Sequence, residues 1–326
     1  MARGGSGRGR GGKREMSREQ QVSRKVSWLL RHGAGSEGLK LGKGGYVGVA
    51  DVLNTNALKS LKITFPELKE LVATNDKQRF SMIPASSLST VEAAEEANPG
   101  ETPQPPLPSI DESSEDPADY LIRANQGHSI KVDTEGLLTP LTLTSPALPE
   151  TVVHGTDERA WSLILKSGGM RSMGRTHMHF ASGLPAGFKT VDPASTTTAT
   201  TQAALPVISG MRNSSTVLIY IDIRKALEAE IPWFVSENGV LLSSGNDDGV
   251  LGCEFFSRVE KRGKRGDAGG WEVLMSEGNV PEGVVVDVDA WEKEVGGKGK
   301  RGGRGGGRGR GKAKVNDDSA DLLAGV

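Results

Sequence analysis

Residues 122–129 read Ile-Arg-Ala-Asn-Gln-Gly-His-Ser. From Arg123 to Ser129 this stretch carries a guanidinium, two amides, an imidazole and a hydroxyl, and Gly127 allows close approach to the backbone. A surface turn can have such a composition. Many hydrogen-bond donors with few acids nevertheless favour an anion-binding site, with His128 and Ser129 at its end.

The five histidines of the chain all lie in three short motifs that also contain glycine and arginine. One is the stretch just quoted. Another is Leu-Leu-Arg-His-Gly at residues 29–33, where Arg31 and His32 end a predicted helix. Cations at that place complement the helix dipole, which by itself favours a structural role.

The third motif has two parts, Val-Val-His-Gly-Thr at 152–156 and Gly-Arg-Thr-His-Met-His-Phe at 174–180. His154 is predicted where a strand meets a helix start, and Gly155 exposes backbone groups to a ligand. His177 and His179 alternate on a predicted strand and face one side. This pair is a known zinc pattern, but it lacks a third ligand and Arg175 adds a repelling charge, so we expect no metal.

Hydrophobic periodicity predicts two folded units. In residues 17–83, three helices and a small β-ribbon predict a winged-helix-like module, with the first helix capped by Ser17. Residues 119–290 contain several strand-like apolar runs and one clear helix at 158–166. Residues 84–118 are acidic and proline-rich, typical of a linker or insertion, and the Thr/Ala tract at 194–204 is predicted to be a surface loop.

The ends of the chain, residues 1–16 and 291–326, are predicted to be disordered because their Gly/Arg runs bury little apolar surface. Arginine pairs with phosphate and stacks on bases, so we expect non-specific RNA contact, although a solubilising role is the plain alternative.

Cys253 is the single cysteine of the sequence, so an intramolecular disulfide is excluded. No apolar run is long enough for a membrane span, and we expect a soluble intracellular protein.

Taken in their order along the chain, these motifs resemble those of the NAD-dependent tRNA 2′-phosphotransferase family. The family pattern runs LLRH, a KQRF-like segment (here residues 77–80), IRANQGHS, HGT, R-x-H-x-H and S-x-NGV, here Ser-Glu-Asn-Gly-Val at 236–240. The resemblance covers roughly residues 17–82 and 119–260. Two stretches depart from it, the acidic insertion and the longer Thr-rich loop, and both lie between motifs.

The resemblance implies an α+β fold with a winged-helix-like RNA lobe and an ADP-ribosyltransferase-like lobe. It also implies two chemical steps. An RNA 2′-phosphate attacks the anomeric carbon of the nicotinamide ribose of NAD and expels nicotinamide, and the ribose 2″-hydroxyl then attacks the phosphate, releasing 2′-hydroxyl RNA and ADP-ribose cyclic phosphate. The implied catalytic residues are Arg31, His32, Arg123 and Arg175. Those implied for NAD are His128, Ser129, His154, Gly155, Thr156, His179, Ser236, Asn238, Gly239 and Val240.

Arginines suit this chemistry because their forked donors stay protonated and match phosphate oxygens. The expected partner is 2′-phosphorylated tRNA, without metal or membrane, for a monomer in the nucleus, the cytoplasm or both. Two other functions stay open at this point. One is an ADP-ribosyltransferase that modifies nucleic-acid phosphate ends and stops after the first step, and the other is a non-catalytic RNA-binding protein.

Overall fold

A computed structural model describes residues 16–87, 114–146, 148–184, 215–262, 271–283 and 287. The Gly/Arg-rich ends, most of the acidic segment and the Thr/Ala tract lie outside these residues, and so do the predictions made for them. Within the described residues the chain forms helices and exclusively antiparallel sheets, so the predicted α+β class is confirmed.

The first lobe begins with a helix whose start the sequence encodes. Ser17 accepts from the backbone N–H of Gln20, and the Gln20 side chain accepts from the backbone of Ser17, which is a capping box. Val22 and Val26 are buried along one face of this helix. The helices of the lobe are α1 (Arg18–Trp28), continued by a π turn (Leu29–Gly33), α2 (Val49–Asn54), α3 (Asn56–Lys59) and α4 (Phe65–Thr74).

The second of the three helices predicted in this lobe covers residues 50–58, and this prediction is wrong because Thr55 divides the helix in two. Thr55 has an extended backbone, and its hydroxyl oxygen accepts from the N–H of Leu58. It therefore caps a new helix and ends the old one.

A three-stranded sheet of order β1-β3-β2 completes the first lobe, with β1 at Val47–Gly48, β2 at Phe80–Pro84 and β3 at Tyr120–Ala124. The predicted boundary at residue 119 places β3 in the second lobe, and the structure corrects this. Tyr120, Ile122 and Ala124 are fully buried in the first core. Because side chains alternate along a strand, Arg123 lies on the opposite face of the first-lobe sheet.

The second lobe contains the remaining elements. Two four-stranded sheets, of order β4-β9-β10-β7 and β13-β12-β8-β5, share one core with the pair β11-β6 and two helices. The elements are β4 (Leu138–Leu141), β5 (Val152–Thr156), α5 (Glu158–Lys166), β6 (Gly169–Arg171), β7 (Met178–Phe180), β8 (Val217–Ile221), α6 (Ile223–Glu228), β9 (Trp233–Ser236), β10 (Leu241–Ser243), β11 (Val250–Gly252), β12 (Phe256–Arg262) and β13 (Trp271–Ser276).

The two large sheets of the second lobe meet where the histidine motifs lie. Val153 of β5 bridges to Ala181, just after β7, through a pair of backbone hydrogen bonds. In the core beneath, Phe180 and Trp233 pack with ring centroids 4.7 Å apart. Burying one such side chain stabilises a fold by about 1.5–3 kcal/mol. The core thus holds the ends of β5 and β7 side by side.

No helix among the described residues is long and apolar enough to cross a membrane.

Candidate active site

Arg31 lies in the π turn after α1 and is buried beneath residues 122–129, which we call the 122–129 segment. Its backbone carbonyl accepts from the N–H of Ser129 at 3.0 Å. Gly127 has φ +89°, and a Cβ there would lie 3.3 Å from Cζ of Arg31. The segment therefore approaches the guanidinium more closely than any other residue type at position 127 would allow.

His32, the neighbour of Arg31, reaches the same segment. Its Nδ1 shares a hydrogen bond of 2.8 Å with Oγ of Ser129. His32 is half-buried, whereas Ser129 is exposed. The structure thus brings the Leu-Leu-Arg-His-Gly motif into direct contact with the end of the 122–129 segment, although 97 positions separate the bonded residues.

Arg123 is buried and held from three directions. Its Nη1 donates to the carbonyls of Gly44 (3.2 Å) and Gly136 (2.7 Å), and its guanidinium lies 4.5 Å from the ring centroid of Tyr46. Its Nη2 forms an ion pair of 2.9 Å with Glu237. An acid-poor site was expected around this arginine, and the carboxylate of Glu237 corrects that expectation.

The third motif docks on the 122–129 segment through Thr176. The backbone N–H of Thr176 donates to the carbonyl of His128 at 2.9 Å, and its hydroxyl donates to the same carbonyl at 3.2 Å. The hydroxyl also lies 2.9 Å from Nδ1 of His177. Arg175, the residue before Thr176, is half-buried. The segments that carry the four predicted catalytic residues therefore converge on residues 122–129.

His128 shows the electrostatic character of this place. Burial lowers the pKa of its imidazole from 6.5 to about 3, and the positive charges of Arg31, His32, His177 and Arg123 add to the shift. The ring is therefore neutral at physiological pH. A neutral imidazole among cations leaves the positive potential of the arginines available to an anion.

A cavity of about 70 Å³ opens between the 122–129 segment and the second lobe. Gln126 and His128 are among its lining residues, and Oε1 of Gln126 and Nε2 of His128 are buried without a hydrogen-bond partner in the described part of the chain. Buried polar atoms of this kind are usually satisfied by a ligand or water. Among the residues that line it are Lys131, Val132, Leu138, Thr176, His177 and Leu242.

The histidines of the second lobe are connected to one another and to this cavity. Nδ1 of His154 on β5 donates to the carbonyl of His179 on β7 at 2.8 Å. His179 pairs across the sheet with Leu242, which pairs in turn with Phe234. The His177 ring lies edge-on to Phe234, so His177 and His179 occupy the same face. Burial lowers the pKa of His177 as well.

The turn at residues 236–240, which we call the 236–240 turn, is braced from within. Oγ of Ser236 donates to Oδ1 of Asn238 (2.8 Å) and also lies 3.0 Å from the carbonyl of Val240, while the N–H of Gly239 donates to the carbonyl of Ser236. Nδ2 of Asn238 donates to the carbonyl of Lys77 in the first lobe at 3.0 Å. The Asn238 side chain, predicted to contact NAD, thus holds the two lobes together in this structure.

Sequence reasoning missed several residues that support Arg123. Glu237 stands in the quoted Ser-Glu-Asn-Gly-Val motif but was given no role, and Tyr46 directly precedes the two-residue strand β1. Only their positions in the sequence could have drawn attention to these two residues, because neither motif spacing nor periodicity pairs them with Arg123.

Gly155 and Thr156, which were predicted to contact NAD, lie on β5 after His154, and both are half-buried. Within the described residues no group of three or more His, Cys, Asp or Glu is placed to hold a metal.

Comparison with known proteins places this site in a family. The model of the RNA 2′-phosphotransferase, Tpt1 / KptA family matches residues 17–245. The chain is 35% identical over 260 residues to tRNA 2′-phosphotransferase 1 of Danio rerio, covering 79% of this chain and 93% of that protein. It is 38% identical to tRNA 2′-phosphotransferase 1 of Mus musculus, covering 76% and 78%.

A third relative is tRNA 2′-phosphotransferase of Saccharomyces cerevisiae, 31% identical over 270 residues, with 81% of this chain and 94% of the yeast protein covered. The family match spans both lobes and every motif that meets at the 122–129 segment. The resemblance inferred from the motifs is thereby confirmed. The chain belongs to the RNA 2′-phosphotransferase, Tpt1 / KptA family.

Proposed function

We propose that this protein transfers the splice-junction 2′-phosphate of tRNA to NAD, yielding 2′-hydroxyl RNA, ADP-ribose 1″,2″-cyclic phosphate and nicotinamide, as the last step of tRNA splicing. The observation that carries the proposal is the convergence of the Arg31–His32, Arg123 and Arg175 segments on residues 122–129. Arg31 and Arg123 both act electrostatically on His128, and Arg175 directly precedes Thr176, which docks on that residue. Arginines gathered in this way suit the binding of a multiply charged anion.

The arginines hold and neutralise the phosphate while it is transferred, and this is a matter of position and charge more than of proton abstraction. NAD supplies the ribose carbon that accepts the phosphate. The cavity lined by Gln126, His128, Lys131 and Thr176 fits one polar end of such a ligand, and it is too small for the whole dinucleotide. His154, Gly155, Thr156 and His179 extend from it along β5 and β7 and would hold the rest.

The first lobe serves as the RNA lobe in this proposal. Three-stranded antiparallel pairing with several short helices supports a winged-helix-like module. The Gly/Arg-rich ends add non-specific contact with RNA phosphates, which the sequence supports because residues 298–314 carry eight Lys or Arg side chains and no acid. The protein acts as a monomer, in the nucleus, the cytoplasm or both.

The decisive experiment incubates the full chain with an oligoribonucleotide that carries one internal 2′-phosphate, with and without NAD. We expect nicotinamide, 2′-hydroxyl RNA and ADP-ribose cyclic phosphate in equal amounts, and only when NAD is present. The 2′-hydroxyl oligonucleotide of the same sequence is the substrate control. Arg123→Ala is the enzyme control, which we expect to fold and to lose turnover.

Other results would contradict this reaction. Stable ADP-ribosylated RNA without the cyclic product would identify an ADP-ribosyltransferase that stops after the first step. Release of inorganic phosphate without NAD would identify a phosphatase. Binding of both oligonucleotides with no turnover would identify a non-catalytic RNA-binding protein. Near-normal turnover by Arg123→Ala would contradict the assignment of Arg123.

A further inference from the structure

The ion pair between Arg123 and Glu237 is the one contact of this guanidinium with an acid among the described residues. Arg123 does not depend on it for its position. The carbonyls of Gly44 and Gly136 accept from Nη1, and the face of the guanidinium lies over Tyr46. These contacts keep the planar group in place whether or not Glu237 is there.

Glu237, by contrast, is held by its charge and is half exposed, with 35% of its side chain accessible against 8% for Arg123. Ser236, Asn238 and Val240 on either side of it are buried and braced within the 236–240 turn. The backbone at position 237 is therefore fixed, while the side chain lies on the solvent side of the turn. A rotation about the side-chain bonds alone can withdraw its carboxylate from Arg123.

A second contact of Glu237 gives it little support. Oγ of Ser81 lies 2.6 Å from Oε2 of Glu237 and 2.7 Å from Oδ1 of Asn125, and a hydroxyl has one proton for the two acceptors. Asn125 cannot turn its amide, because its Nδ2 donates to the carbonyl of Gln78. The hydroxyl can therefore donate fully to only one of the two, so Glu237 shares this contact with Asn125.

We infer that Glu237 is an internal counter-ion of Arg123, which the 2′-phosphate of the RNA displaces when it binds. The inference rests on the proposed function, because it takes Arg123 as a phosphate ligand. A buried guanidinium needs an anion beside it in the free protein as well as in the complex. Glu237 supplies that anion before substrate arrives, and the phosphate takes its place through the partly exposed side of the pair.

This exchange predicts opposite effects on stability and affinity when the carboxylate is neutralised. Glu237→Gln keeps the shape of the side chain but removes the charge. The free protein loses its counter-ion and melts at a lower temperature. The phosphate no longer competes with a carboxylate, so the protein binds 2′-phosphorylated RNA about tenfold more tightly, equivalent to about 1.4 kcal/mol. A side chain that only positions Arg123 would lose stability and affinity together.

The test measures binding without NAD, so that no turnover occurs. Fluorescence anisotropy compares two labelled oligoribonucleotides of one sequence, with an internal 2′-phosphate or a 2′-hydroxyl. Glu135→Gln is the matched control, because it removes an equal charge from an exposed residue next to Gly136, whose carbonyl accepts from Arg123. Glu237→Gln in an Arg123→Ala background tests whether the effect passes through Arg123. Melting with and without inorganic phosphate is the second measurement.

We expect Glu237→Gln to tighten binding of the phosphorylated oligonucleotide selectively, Glu135→Gln to shift both oligonucleotides alike, and the Arg123→Ala background to abolish the gain. Inorganic phosphate should raise the melting temperature of Glu237→Gln more than that of the wild type. Weaker binding of the phosphorylated oligonucleotide by Glu237→Gln, or equal tightening of both, would overturn the inference. A wild type that prefers neither oligonucleotide would instead contradict the proposed function.

Discussion

Replacing Gly127 by Ala perturbs the active site through one methyl group whose surroundings the structure specifies. Gly127 has φ +89°, so any Cβ there is strained, at a cost of about 1–3 kcal/mol of folding free energy. The added Cβ would also lie 3.3 Å from Cζ and Nε of Arg31. Carbon contacts are normally about 3.5–4.0 Å, so the guanidinium of Arg31 must move by a few tenths of an ångström.

The effect on the reaction follows from that displacement. Because a misplacement of 1 Å costs about a hundredfold in rate, a shift of a few tenths of an ångström should lower kcat roughly three- to tenfold. The assay is steady-state turnover of a 2′-phosphorylated oligoribonucleotide at saturating RNA and NAD, which gives kcat. Urea denaturation of the same protein gives the loss in the free energy of unfolding.

Gly38→Ala is the matched control. Gly38 has φ +79°, and no atom of the described chain lies within 4 Å of the Cβ that would be added. It should lose similar stability from backbone strain and keep its kcat. If Gly127→Ala also keeps its kcat while losing the same stability, then the close approach of the 122–129 segment does not position Arg31, and the reasoning is refuted.

Three further predictions concern other parts of the molecule. The pKa of His128 is lowered to about 3, so its stabilising contribution is complete above pH 6.5 and is lost as pH falls toward 3. Urea denaturation should show a slope of up to about 1.4 kcal/mol per pH unit from this group, and His128→Gln should remove it. Asn238→Ala should lower the free energy of unfolding by about 1–3 kcal/mol, because it removes the partly buried hydrogen bond to Lys77, and an unchanged value would contradict the role of Asn238 between the lobes. Deleting residues 1–15 and 297–326 should weaken RNA binding and flatten its dependence on salt without changing chemistry at saturating RNA, and an unchanged salt slope would leave the ends without an RNA role.

The local features of the fold were readable from the sequence. The cap at Ser17 and the helix at 158–166 were predicted from the sequence, and the apolar run at 217–221 likewise predicts a strand. The structure has a helix that begins at Arg18 after Ser17, a helix at Glu158–Lys166 and a strand at Val217–Ile221. Each of these signals is local, because a cap or a hydrophobic face is formed by residues a few positions apart.

The order and content of the motifs also identified the family from the sequence, together with the arginines and histidines of the candidate site. Their chemistry is a property of residue type. A guanidinium that stays protonated and presents a fork of donors suits a phosphate wherever the fold puts it.

Only the tertiary structure decided how these residues are arranged. The strand that carries Arg123 pairs between β1 and β2 in the first lobe, although it follows the acidic segment in sequence. Its counter-ion, Glu237, is 114 positions away. Periodicity reports which face of a strand is buried, but not which strand lies beside it. Partners so distant in sequence meet only because packing of the two lobes brings their backbones together, and no local pattern records that.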